Sequence, residues 1–330
     1  MKKLLKLVKM ASKYNPIIRQ YVLFDGSHAR ATDLELHYKV AIGGHFPAPC
    51  LVPVELLKSA LTLSKIPQWA GDTLNGIKLS GHAGETDPAE YPAWPAVVDA
   101  LPVQFYVKDV PGTISKLTRA AALGDVRYYL NGLCFTADGA LATTNGHQLH
   151  LQKRAFVPLA TGEHVVIRAL FDLFPDLDNL SLSKHHARAT LPGGEVISKL
   201  IDGKFPDYKR VVPEAKARPV HIEVNPEQLD NVRKVAAFVK VKGEKFNALK
   251  INKDGTMQNS TGELVLPFCQ PLPAELGVNI AYLITSLEAA GVPCTVNLGD
   301  KANSKGDLDD SLLILGQDPD FSAVVMPMRI

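Results

Sequence analysis

Several things are scarce in this sequence. Cysteine is one: Cys50, Cys134, Cys269 and Cys294 are scattered, with no CxxC pair. That spacing argues against a disulfide framework and suits reduced, buried thiols in a cytosolic protein. Long apolar runs are another. None approaches the ~18 residues of a membrane span. The opening stretch MKKLLKLVKMASKYNP is basic and partly apolar, but Lys6 and Lys9 interrupt the apolar core that a signal peptide needs. The expected location is therefore the cytoplasm. An excess of one charge is also missing. Lys and Arg number 36 against 34 Asp and Glu, a net charge of +2, which excludes a generally basic nucleic-acid coat but leaves room for local asymmetry.

Catalytic and metal signatures are missing as well. There is no G-x-S-x-G elbow and no H-E-x-x-H pair, and GDKANSKGD lacks the order of a Walker A loop. His185-His186 and His147-x-x-His150 have no cysteine or carboxylate cluster at ligand spacing, so both read as surface or core histidines. Asp309-Asp310 reads as a solvated turn. The expectation is a chain with no catalytic residue, no metal and no cofactor.

What is present is a pattern that runs three times. Residues 2 to 13 read as an amphipathic helix, with Leu4, Leu5, Leu7, Val8 and Ala11 on one face and Lys2, Lys6, Lys9 and Lys13 on the other, ended by Asn15-Pro16. Strand-like text follows, IIRQYVLFDG, with a turn at Asp25-Gly26. A second helix, VPVELLKSALTLSKI, begins near Pro53, and the segment closes with the strand GIKLSG and DPAEYPAWP. The plan restarts with the strand VQFYVKD and a helix carrying Pro111 in its first turn. Two strands, NGLCFTA and ALATTN, meet at Asp138-Gly139, a dipeptide that favours a tight hairpin. Asn145-Gly146-His147 makes a further turn, and a second helix starts near Ile167. The third pass has a helix with Asn225 as N-cap and Pro226 at its first position, a hairpin at Asp254-Gly255, and a second helix from Asn279 capped by Gly291.

The first helices begin near residues 2, 111 and 226, and the second near 53, 167 and 279. The nearly equal intervals predict three similar α+β domains of about 105–115 residues each: 1–104, 105–215 and 216–330. Cations gather on the leading helices: Lys2, Lys6, Lys9 and Lys13 on the first, Lys116 and Arg119 on the second, and Arg233, Lys234 and Lys240 on the third. Two readings stand side by side. These are solvated helix faces, or equivalent helices present their charge to one polyanion. Arg127 and Tyr128, after the second leading helix, could approach such a polyanion too.

The stretches DVRYYLNG (125–132), TNGHQL (144–149), SKLIDGKFPDYKRVVP (198–213) and VVMPMRI (324–330) resemble the bacterial β sliding clamp, the processivity subunit of DNA polymerase III, in order and spacing. TDLE (32–35) and DPAEYP (87–92) are weaker matches. The resemblance touches all three repeats and implies a DNA clamp fold. Each of three similar domains would carry two inner helices and outer antiparallel sheets, and a head-to-tail homodimer would close a six-domain ring around double-stranded DNA. The ring would hold DNA topologically, without reading sequence. The partners implied are the replicative DNA polymerase, a separate clamp loader that supplies ATP-driven opening, and other proteins with clamp-binding motifs. The protein would be an accessory subunit, not an enzyme.

The resemblance also implies a pocket for short glutamine-leucine-x-leucine-phenylalanine-like peptides. Its wall would be Leu130, Thr144, Gly146, His147, Gln148 and Leu149, then Pro206, Arg210 and Val211, then Asn279 and Tyr282, and finally Val324, Val325, Met326, Pro327, Met328 and Arg329. Leucine, valine, proline and methionine make an adaptable apolar slot. The family's usual TDGHRL reads TNGHQL here, so Gln148 and Asn145 are expected to alter the rim and the peptide preference. Against the family pattern the first domain reads as shortened, without the usual strand before its opening helix, as expected of a divergent clamp of bacterial or phage origin. A membrane-surface protein anchored by the basic first helix is the alternative; it explains one helix and leaves the threefold plan unexplained. An α+β hydrolase or transferase would need converging acids and bases that no motif supplies.

Overall fold

The computed structural model describes residues 2–11, 20–82, 86–242, 247–301, 303 and 307–329. Lys13, the helix stop at Asn15-Pro16 and the first residues of the strand expected from Ile17 lie outside these. Among the described residues there are six α-helices: α1 (Lys2–Ala11), α2 (Val54–Thr62), α3 (Val110–Thr118), α4 (Arg168–Leu173), α5 (Pro226–Lys242) and α6 (Ile280–Ala290). They start close to the positions that the repeat predicts.

Local chemistry explains where they start. The Asp109 side chain accepts from the Gly112 N–H at 3.0 Å, with Pro111 in the first turn of α3. Asn225 accepts from the Glu227 and Gln228 N–H groups at 2.8 and 3.2 Å. The Gln228 side chain reaches back to the Asn225 N–H at 2.9 Å, which completes a capping box for α5. Asn279 accepts from the Ala281 and Tyr282 N–H groups, and α6 ends at Gly291, whose φ is +74°.

Contacts group the chain into two compact units, one of residues 1–103 with 169–200, the other of residues 104–168 with 201–330. The first unit is built on a six-stranded sheet. Its order is Tyr21–Thr32, Leu36–Pro53, Gly194–Lys199, His186–Leu191, Ser181–Leu182, Leu101–Pro102. On α1, Leu4, Leu7 and Val8 are buried, as the amphipathic reading requires, whereas Leu5 is exposed. The Lys6 ammonium sits 4.3 Å from the centroid of the Phe174 ring, and burial lowers its pKa.

The turn expected at Asp25-Gly26 is not one. The first strand runs straight through it with register shifts on both sides of Gly26, whose φ is +54°: a β-bulge. The chain reverses later. There the Asp33 carboxylate accepts from the Glu35 and Leu36 N–H groups, and Leu34 has φ +75°.

The second unit carries an eight-stranded antiparallel sheet. Its order is His164–Ile167, Gly132–Phe135, Leu141–Thr144, Gln148–Gln152, Phe321–Val325, Leu312–Leu315, Cys294–Leu298, Val220–Val224. One face holds Leu149, Leu151, Val324 and Leu313 in a core with Phe205 and Tyr208. The other is tied to helices. The Thr143 hydroxyl donates to the Leu117 carbonyl of α3, and His150 bridges the Lys116 carbonyl at 2.9 Å and Ser286 of α6 at 3.0 Å. Beside this lies a five-stranded sheet containing the hairpin at Asp254-Gly255.

The strand expected at VQFYVKD also fails. Only a bridge between Phe105 and Phe156 forms, because Arg154, at φ +46°, breaks the partner segment before a ladder can extend.

Candidate functional site

A cavity of about 240 Å³ opens on the core face of the eight-stranded sheet. Four separated stretches line it. The 3₁₀ turn Tyr128–Leu130 contributes Tyr129 and Leu130, and the hairpin between the 141–144 and 148–152 strands contributes Thr144, Gly146, His147, Gln148 and Leu149. Pro206, Asp207, Tyr208 and Val211 come from around the turn Tyr208–Arg210, and Val324 and Met326 from the last strand and the residue beyond it.

The hairpin tip keeps its shape through its own hydrogen bonds. The Asn145 side chain accepts from the His147 N–H at 2.9 Å and the Gln148 N–H at 3.0 Å, an Asx turn. Thr144 Oγ donates to the Gln148 carbonyl at 2.6 Å and accepts from the Gly146 N–H at 3.0 Å. Gly146 takes φ +89°, which a Cβ would strain. The Met326 N–H donates to the His147 carbonyl at 2.8 Å, so the tail is stitched to the turn.

Of the residues that the resemblance assigned to the pocket, Leu130, Thr144, Gly146, His147, Gln148, Leu149, Pro206, Val211, Val324 and Met326 line this cavity. The others do not line it. Val325 is fully buried; side chains alternate along a strand, so it faces away from Val324 and Met326. Arg210 is exposed and paired with Asp207 at 2.9 Å. Asn279 spends its side chain capping α6. Tyr282 stacks on His147 with ring centroids 6.1 Å apart, one layer behind the cavity wall. Pro327 bridges to Val278, and the Met328 N–H donates to the Gly277 carbonyl, so the tail turns along another strand; Arg329 is exposed.

Gln148 is not a rim residue. It is 5% exposed, its Nε2 donates to the Arg119 carbonyl at 3.4 Å, and its Oε1 has no partner.

Arg127, Tyr129, Asp207 and Tyr208 were missed as pocket residues. Arg127, which the sequence reading offers to a polyanion, lines the cavity. Its guanidinium pairs with Asp125 at 2.8 Å and donates to the Asn145 carbonyl at 3.2 Å. Those hydrogen bonds from Arg127 hold the Asp125 carboxyl down at about 2. Asp207 and Tyr208 sit inside the FPDYKRVV segment already assigned to the wall, so their position was a usable signal.

The cationic helices are equally specific in detail. Lys2 and Lys9 are exposed, as are Lys116, Arg119, Tyr128, Arg233, Lys234 and Lys240. Lys6 is the exception, half-buried over Phe174. Glu288 of α6 pairs with both Arg119, at 3.1 Å, and Arg233, at 2.6 Å, and Lys234 pairs with Asp230 at 2.8 Å. Pairs at or near the surface like these contribute little to stability. Among the described residues, no group of three or more His, Cys, Asp or Glu is placed to hold a metal ion, and no helix is long and apolar enough to cross a membrane.

No family model matches the chain. Among curated proteins, the β sliding clamp of Vibrio cholerae is 28% identical, across 91% of this chain and 88% of that protein. The β sliding clamp of Pseudomonas aeruginosa is 32% identical, across 66% of this chain and 62% of that protein. Among solved structures, the DNA polymerase III β subunit of P. aeruginosa superposes with a TM-score of 0.75 at 22% identity, covering 100% of this chain and 97% of the other. That of Thermotoga maritima gives 0.75 at 18% identity, covering 100% and 96%. These superpositions span the whole chain and show the clamp fold. The curated homologues share one name, so this chain is similar in sequence to bacterial β sliding clamps and shares the fold of the DNA polymerase III β subunits.

Proposed function

We propose that this protein is a DNA sliding clamp, an accessory factor that encircles duplex DNA and tethers a replicative polymerase to it. In this reading the three repeats, 1–104, 105–215 and 216–330, form half of a ring that a second copy completes head to tail. The leading helices supply cations to sugar-phosphate, an attraction that is salt-sensitive and reads no base edge. A base-specific contact would arrest sliding. A clamp loader opens the ring, and the work is done in the cytoplasm where the DNA lies.

One observation supports this reading above the rest. Segments near residues 130, 146, 208 and 325 converge on one apolar slot of about 240 Å³, walled by Leu130, Leu149, Val211, Val324 and Met326. Such a slot suits leucine and phenylalanine anchors of a short peptide.

The test is retention on DNA. The protein is loaded by a cognate loader onto nicked circular DNA, and the circle is then cut. Topological tethering predicts retention on the circle and release from the linear form at moderate salt. Persistent binding after the cut would refute it.

A further inference from the structure

A second, larger cavity of about 870 Å³ lies on the same sheet face as the peptide pocket. The two are consecutive stations on the same strands. Leu149 pairs with Val324 and Val324 with Leu313; two residues along, Leu151 pairs with Ser322 and Ser322 with Leu315. The first rung contributes Leu149 and Val324 to the small pocket, and the second contributes Leu151, Ser322 and Leu315 to the large one. Successive same-face rungs are about 7 Å apart. The Tyr208 ring stands between the cavities and lines both. A chain leaving the small pocket along the strands enters the large one within two residues.

The large cavity also holds one buried polar group without a partner. Ser322 is 6% exposed, and its Oγ has no hydrogen-bond partner. A buried hydroxyl left unpaired is costly and rare in a folded protein. On the rim, Lys209 is tied to Asp138 at 2.7 Å and Arg154 to Asp320 at 2.7 Å. Lys153 and Lys216 are exposed and, among the described residues, in no ion pair; Glu214 is the one lining carboxylate outside a pair. Two open cations against one open carboxylate, around an aliphatic floor, favour an anionic occupant with an apolar side chain.

We infer that the large cavity is a second docking station for the same partner segment, taking an apolar residue followed or preceded by carboxylates. The partner's leucine-type side chain lies on Leu151, Leu313 and Leu315. Its backbone satisfies the Ser322 hydroxyl, and its acidic residues meet Lys153 and Lys216. This rests on the small cavity being the peptide pocket.

The probes are a fluorescein-labelled peptide of glutamine-leucine-serine-leucine-phenylalanine type and two longer versions, with one leucine and three glutamates added at either end. Anisotropy titrations at low salt should show one longer peptide binding about tenfold tighter than the short one. In Lys153→Glu/Lys216→Glu that gain should vanish, and in Ser322→Val it should shrink, while the short peptide binds as before and reports that the protein is folded. The inference is overturned if neither extension improves affinity, or if the gain survives charge reversal. A short peptide that does not bind, or whose binding ignores Met326→Ala, brings down the pocket reading instead.

Discussion

His150 is where burial has its clearest electrostatic consequence. A carbonyl can only accept, so Nδ1 must carry the proton it donates to Lys116, and Nε2 accepts from the Ser286 hydroxyl. Charging the ring would place a cation in the core and reverse the Ser286 bond. Burial, with a smaller contribution from Arg119, lowers the His150 pKa from 6.5 to about 4, against the raising effect of its bond to Lys116. The unfolded chain therefore takes up this proton first as pH falls. Stability from the neutral ring is complete above about pH 6.5 and is lost as pH drops toward 4, up to about 3 kcal/mol. Urea unfolding at pH 7.5, 6 and 5 should show that slope, and it should be shallower in His150→Gln. An unchanged slope would mean that the ring does not stay neutral. His147 and His150 read in sequence as surface or core histidines. In the fold the two rings face opposite fates, one on the pocket wall and one in the core.

Glu288 shows how an element can hold charge without displaying it. It sits on α6, which the sequence presents as an apolar helix, and reaches both Arg119 at the end of α3 and Arg233 on α5. If those cations face DNA, Glu288 offsets them. Glu288→Gln should then tighten duplex binding at low salt and steepen its salt dependence by about one counterion. Fluorescence titration against duplex DNA from 50 to 200 mM salt, on the order of the range where such slopes are read, checks this; an unchanged slope would place Arg119 and Arg233 away from DNA. The helices themselves were legible because their caps are local: Asn225, Asn279 and Gly291 act on groups within four residues. Strand ends were less so. Asp-Gly closes a hairpin at Asp138-Gly139 and Asp254-Gly255, yet the same pair at Asp25-Gly26 makes a bulge. Glycine supplies positive φ in all three, and only the strand partner decides which is built.

For the molecule as a whole, repeat and compact unit do not coincide. The sequence reads as three passes of one plan, whereas contacts gather residues 169–200 with the first unit and 201–330 with the second. Strands far apart in sequence share a sheet: Gly194–Lys199 pairs with Leu36–Pro53, and Phe321–Val325 with Gln148–Gln152. Cutting the chain at a repeat boundary would thus leave sheet edges unpaired. The ring reading adds a prediction about mass. Sedimentation at micromolar concentration should give twice the chain mass, and a strict monomer would count against a closed ring.

By itself the sequence determined the helix positions and the hairpin tips at Asp138-Gly139 and Asp254-Gly255, and ten of the residues that its resemblance assigned to a pocket line one cavity. Those follow from periodicity, capping and turn chemistry, which act over a few residues, and from motifs quoted in order. The tertiary structure decided what depends on which strands lie side by side. It turned Val325 away from the pocket while keeping Val324 in it, buried Gln148 beneath the end of α3, and brought Arg127 and Tyr208 into the wall. It also set Ser322 beside Leu151, next to the pocket. Strand pairing and pleat direction are long-range choices, and no local pattern around these residues encodes them.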